Sequence, residues 1–174
     1  MNLPNKLTLL RMAMVPIYVV LLLVDFPHHT LIALAVFILA SLTDLLDGHI
    51  ARSRNLITDF GKFMDPLADK ILVLSAMICF CQLDVMPAWA VIVVIFREFA
   101  VSGMRLVAVE QGRVIAAGWS GNVKTAATMV CLCVMHLPIP QPVNWVCVAV
   151  IVVTTLYSGV EYFIKNRDVF KGSM

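Results

Sequence analysis

Charge is scarce in this chain. Only 14% of its 174 residues are charged, against 61% hydrophobic residues and a mean hydropathy of +0.93. Soluble domains carry about 45–50% apolar residues, and a core of this size could not hide the surplus. The sequence therefore predicts a membrane protein. The net charge of +2 is too small to imply a nucleic-acid partner. No repeat, low-complexity tract or linker interrupts the chain, so residues 1–174 read as a single domain. The N-terminus has no small-residue cleavage site after its first apolar run, which argues against a removable signal peptide. Cys79, Cys81, Cys131, Cys133 and Cys147 all lie in apolar runs, and no histidine or further cysteine completes four ligands beside either C-x-C pair. They read as small packed hydrophobes, and their odd number argues against a disulfide framework.

What is abundant is long apolar runs. A helix needs about 20 apolar residues to cross a bilayer, and six stretches qualify: 7–24, 30–51, 66–83, 87–109, 120–137 and 142–164. This predicts an all-α six-transmembrane-helix bundle. Arg11 interrupts the first stretch, so residues 1–11 read as a short interfacial segment with Arg11 snorkelling to the headgroups. Three Pro-marked loops, at 26–29, 83–87 and 137–142, contain no Lys or Arg. All 13 basic residues fall toward the other side, which by the positive-inside rule predicts that both termini face the cytoplasm.

Against that background the stretch from Asp44 to Asp69 is conspicuous. It reads Asp44-Leu-Leu-Asp47-Gly48-His-Ile-Ala51-Arg52, then eight residues, Gly61, three residues, Asp65, three residues and Asp69. On a helix, Asp44, Asp47, Gly48, Ala51 and Arg52 share an arc of about 140°, and Gly61, Asp65 and Asp69 form a stripe on the next segment. Pro66 is tolerable if a helix starts near it and otherwise implies a kink. Four carboxylates in one partly buried pocket must either neutralise or bind cations between them. All-oxygen ligands favour hard ions such as Mg²⁺ or Mn²⁺, and two ions would suit in-line displacement at phosphorus. A proton or cation relay in a transporter is the competing class, and it predicts carboxylates near the bilayer midplane.

The pattern D-x2-D-G-x2-A-R-x8-G-x3-D-x3-D resembles the signature of the CDP-alcohol phosphotransferases, with every fixed position present. The resemblance implies a homodimeric membrane enzyme of the bacterial cell membrane, with a cytoplasmic active site. Its donor would be CDP-diacylglycerol and its leaving group CMP. It further implies that Asp44, Asp47, Asp65 and Asp69 surround two Mg²⁺ or Mn²⁺ ions and that Asp69 is the base. Gly48, Ala51, Arg52 and Gly61 would line the cytidine and diphosphate site beside Asp44. Asn5 and Thr8, in a stretch similar to the family's opening, would border the nucleotide pocket.

Arg97-Glu98, Ser102-Gly-Met-Arg105 and Gly121-Asn-Val-Lys124-Thr125 resemble the branch of the family that makes phosphatidylglycerophosphate. Arg97 and Arg105 are eight residues apart, about 80° around one helix, and Lys124 opens the next span. Three cations beside a cavity suit a phosphate dianion, so the expected acceptor is sn-glycerol 3-phosphate, with inositol phosphate as the alternative. Snorkelling, or pairing with Glu98 and Glu110, is the plainer explanation of the same cations. Arg113 could steer an anion, Trp119 reads as an interface anchor, and His28, His29, His49 and His136 carry little signal.

Overall fold

A computed structural model describes the backbone of residues 3–53, 59–113, 115 and 118–169. Within these, the side chains of 3, 4, 44–53, 59–63, 65, 66 and 169 are not described. The described residues contain six helices and no strand: α1 Leu3–Leu23, α2 His29–Ser53, α3 Asp59–Gln82, α4 Ala88–Glu110, α5 Trp119–Met135 and α6 Gln141–Lys165. A 3-10 turn follows at Arg167–Val169. The chain divides into two compact units, Met1–Asp84 with His136–Pro138, and Val85–Met135 with Ile139–Met174.

In the first unit, α1 packs against α2 and α3. The buried seam of α1 is Asn5, Thr8, Arg11, Val15, Tyr18 and Leu22, a spacing of three or four that keeps one face inward. Ala33, Phe37 and Ala40 of α2 and Ala68, Leu72 and Ala76 of α3 complete the core. Alanines at these positions let helix backbones approach closely, as small residues do between membrane helices. A short turn joins α1 to α2, so the two run antiparallel. The polar start of α1 therefore lies at the same end of the unit as the C-terminal part of α2 and the start of α3. At the opposite end His136 is buried; its Nε2 is 2.9 Å from the Tyr18 hydroxyl, and its ring stands edge-on to Phe80 at 4.8 Å.

Three expectations are corrected here. From Leu3 onward no break sets off a short segment ending at Arg11, because α1 is continuous from Leu3 to Leu23. Arg11 does not snorkel: it is fully buried, because the seam's spacing turns it inward with Thr8 and Val15. The third helix also begins earlier than the apolar run at 66–83 suggests, at Asp59, so position 66 falls inside it.

In the second unit, α6 packs against both α4 and α5. Prolines mark the helix starts. Pro87 and Pro140 occupy the N-cap positions of α4 and α6 in extended conformation, and α6 carries a further proline in its first turn, where a missing N–H costs nothing. Helix α4 ends in a Schellman motif. Gly112 adopts φ 70°, its N–H donates to Val109 O at 2.9 Å, and the Arg113 N–H donates to Ala108 O at 2.9 Å. The buried face of α6 runs Cys147, Val148, Ile151, Thr155, Ser158, Gly159 and Tyr162; that of α5 runs Lys124, Thr128, Cys131, Leu132 and Met135. All five cysteines are free thiols.

The outward faces are apolar. Phe96 is 75% exposed, Leu106 68% and Trp119 80%, while Arg11, Thr8 and Thr155 are fully buried. Two helical stretches, Asn5–Leu23 and Gln141–Lys165, are long and apolar enough to cross a membrane, and His29–Thr43 is a shorter apolar stretch.

Candidate active site

The carboxylate motif falls on two neighbouring helices of the first unit. Positions 44–52 are helical within α2, and positions 61, 65 and 69 within α3, which packs against α2. The side chains of Asp44, Asp47, Gly48, Ala51, Arg52, Gly61 and Asp65 lie outside the described residues. Asp69 is described: it is half-buried on α3, follows the buried Ala68, and takes part in polar interactions of the fold. Asn5 is 8% exposed and Thr8 is fully buried, both on the inward seam of α1 and both engaged with neighbours. They share with Arg11 the end of the unit that carries the motif. An all-carboxylate donor set fits a hard divalent cation and does not fit a thiophilic one. Among the described residues no cluster of three or more metal-ligating side chains is gathered, since three of the four aspartate side chains lie outside them.

The expected acceptor cations fall in the second unit, and two of the three are brought together. Arg97 Nη1 donates to Glu98 Oε1 at 2.9 Å, and Lys124 Nζ donates to the same oxygen at 2.6 Å. All three side chains are shielded, with 12%, 12% and 9% of their surfaces exposed for Arg97, Glu98 and Lys124. The pairing weighed as the plainer explanation is therefore present for both cations. It accounts for one edge of Arg97. The guanidinium's Nε–H is buried with no hydrogen-bond partner, a position that a buried donor leaves at a cost of about 1–3 kcal/mol. Small residues make room for this side chain: a Cβ on Gly159 would stand 3.2 Å from Arg97 Cγ, and one on Gly121 3.9 Å from Nη2.

Arg105 is held separately. It lies eight residues further along α4, about 12 Å by helical rise. Its Nε donates to the Tyr162 hydroxyl at 3.1 Å, and its guanidinium carbon lies 5.5 Å from the centroid of that ring. Arg105 is exposed while Tyr162 is buried with Val101, Met104 and Ala108. Further side-chain polar atoms of this unit are buried without hydrogen-bond partners: Thr128 Oγ1, Asn144 Oδ1, Thr155 Oγ1 and Glu161 Oε2. Thr128 lies one helical turn from Lys124 on α5, and Thr155 lies one turn from Gly159 on α6. Arg113 is exposed just past the end of α4.

Glu98 and Tyr162 have no role assigned by the sequence. Glu98 is visible there only as a competitor for the cations, on the same footing as Glu110. Tyr162 offers no signal, because its contact with Arg105 spans 57 positions.

A helical chain with a complete carboxylate motif on adjacent helices defines a class, and comparison with known proteins gives that class its name. Residues 1–157 match the family model for CDP-alcohol phosphatidyltransferase, and the chain belongs to that family. The family generally uses divalent metal ions. The chain is similar to the CDP-diacylglycerol–glycerol-3-phosphate 3-phosphatidyltransferase of Bacillus subtilis, with 44% identity over 99% of this chain and 98% of the relative. It is also similar to the protein of the same name from Salmonella typhimurium, with 35% identity over 95% of each.

Proposed function

We propose that this chain transfers the phosphatidyl group of CDP-diacylglycerol to sn-glycerol 3-phosphate, giving phosphatidylglycerophosphate and CMP. The observation that carries the proposal is an unbroken motif within a chain 44% identical, over 99% of its length, to a relative named for that reaction. Asp44, Asp47, Asp65 and Asp69 would hold two divalent ions, Mg²⁺ or Mn²⁺. When bound, such ions neutralise the diphosphate and stabilise departing CMP. Asp69 takes the proton from the attacking acceptor hydroxyl. The acceptor oxygen forms its bond to the phosphatidyl phosphorus as the bond to CMP breaks, with no covalent enzyme intermediate. Gly48, Ala51, Arg52 and Gly61, with Asn5 and Thr8, receive the CDP moiety. Arg97, Lys124 and Arg105 receive the acceptor phosphate.

The same reading places residues 1–174 in a bilayer as one catalytic domain with six spans, both termini cytoplasmic, and as a homodimer. Apolar outward faces beside buried polar seams support the lipid environment. The one-sided distribution of Lys and Arg supports the orientation, and the family resemblance supports the dimer.

The test is CMP release by the purified protein from CDP-diacylglycerol with a divalent ion and a panel of acceptors. Glycerol 3-phosphate is expected to support turnover, whereas serine, choline and free inositol are not. Turnover with inositol phosphate in preference to glycerol 3-phosphate would overturn the acceptor assignment. Absence of CMP with every acceptor would overturn the enzyme assignment.

A further inference from the structure

We propose that Glu98 is a positioning residue for the acceptor phosphate, clamping Arg97 and Lys124 side by side and leaving the Nε edge of Arg97 for the ligand. The inference rests on the acceptor reading above and adds a residue to it.

The geometry is specific. One carboxylate oxygen accepts from Arg97 at 2.9 Å and from Lys124 at 2.6 Å, so two like charges from different helices are held together by a single atom. Without a carboxylate there, two cations this well shielded would repel one another and turn apart. Glu98 takes Arg97 through Nη1. The opposite edge of a guanidinium, Nε with Nη2, is the fork that binds phosphate through two parallel hydrogen bonds. In Arg97 the Nε donor on that edge is buried and without a partner, and Gly121 and Gly159 leave its side chain room. The described ion pairs join two cations to one carboxylate, a net positive charge that a phosphate dianion would offset. A purely structural salt bridge would be expected to satisfy the guanidinium on both edges.

The test is steady-state kinetics of Glu98→Gln in detergent–lipid micelles, measured beside the wild type with glycerol 3-phosphate and, at high concentration, unphosphorylated glycerol. The amide keeps the size of the side chain and removes its charge. KM for glycerol 3-phosphate is expected to rise about tenfold, with KM for CDP-diacylglycerol within about twofold of wild type. The preference for glycerol 3-phosphate over glycerol should fall by a similar factor, because the clamp serves the phosphate. Should Glu98→Gln fail to accumulate in membranes, Glu98→Asp, one methylene shorter, is expected to give the same split more weakly. An unchanged acceptor KM, or equal rises in both KM values, in whichever variant accumulates would overturn the clamp. A wild-type protein inert toward glycerol 3-phosphate would overturn the functional reading and the clamp with it.

Discussion

The two sets of candidate residues, one in each unit, are built in opposite ways. In the first unit, eight fixed positions between Asp44 and Asp69 lie on consecutive helices, and their spacing alone brings them onto helix faces. In the second, Arg97, Glu98, Lys124, Gly159 and Tyr162 come from three helices and up to 65 positions apart, and only packing gathers them. Carboxylates for a hard cation can be supplied by two adjacent helices at fixed intervals, so local sequence records them. An anion-binding set needs cations converging from several directions, steadied against their own repulsion by a carboxylate and an aromatic ring. On the proposed reading, donor chemistry is written locally and acceptor recognition non-locally.

That contrast can be broken by experiment, and the largest effects belong to the local half. Asp69→Asn should lower kcat by about 10²–10⁴-fold, the range for losing a general base, while CDP-diacylglycerol binding stays measurable by equilibrium partitioning. Removal of divalent ions with a chelator should abolish CMP release, and added Mg²⁺ or Mn²⁺ should restore it. Activity that survives exhaustive chelation would remove the metal from the account.

Smaller effects are expected in the non-local half. Gly159→Leu would drive a side chain into Arg97, whose Cγ would stand only 3.2 Å from a Cβ at that position. Acceptor KM should rise several-fold with donor KM little changed. Tyr162→Phe removes the 3.1 Å hydrogen bond to Arg105 and keeps the ring beneath it. The loss of one such bond is worth about 1 kcal/mol, so acceptor KM should rise about fivefold. The smallest catalytic effect is expected at the end of the first unit opposite the motif. Tyr18→Phe removes the 2.9 Å contact with His136 in a buried aromatic cluster, at a cost of about 1 kcal/mol in stability. Its melting temperature should fall while both KM values stay put.

Much of the architecture is legible in the sequence. The apolar runs at 87–109, 120–137 and 142–164 fall within a few residues of α4, α5 and α6, because hydrophobic length and flanking prolines are local signals. Helix α3 is less legible, since its first turns, from Asp59, are polar and offer no apolar run. Arg11 misleads for a related reason. A charge inside an apolar stretch looks like a membrane-edge residue until packing shows which face of the helix turns inward. Arg97 and Lys124 stand out in the sequence as candidate acceptor cations, but their shared partner Glu98 does not, because the contact from Glu98 to Lys124 crosses 26 positions. Proximity of that kind exists only after α4 and α5 have folded together.

The division of labour between the two halves is tested most directly by measuring both KM values for Arg52→Ala and Arg97→Ala side by side. The account predicts that Arg52→Ala raises KM for CDP-diacylglycerol and leaves that for glycerol 3-phosphate nearly unchanged, and that Arg97→Ala does the reverse. Two variants that raise the same KM, or that each raise both equally, would contradict it.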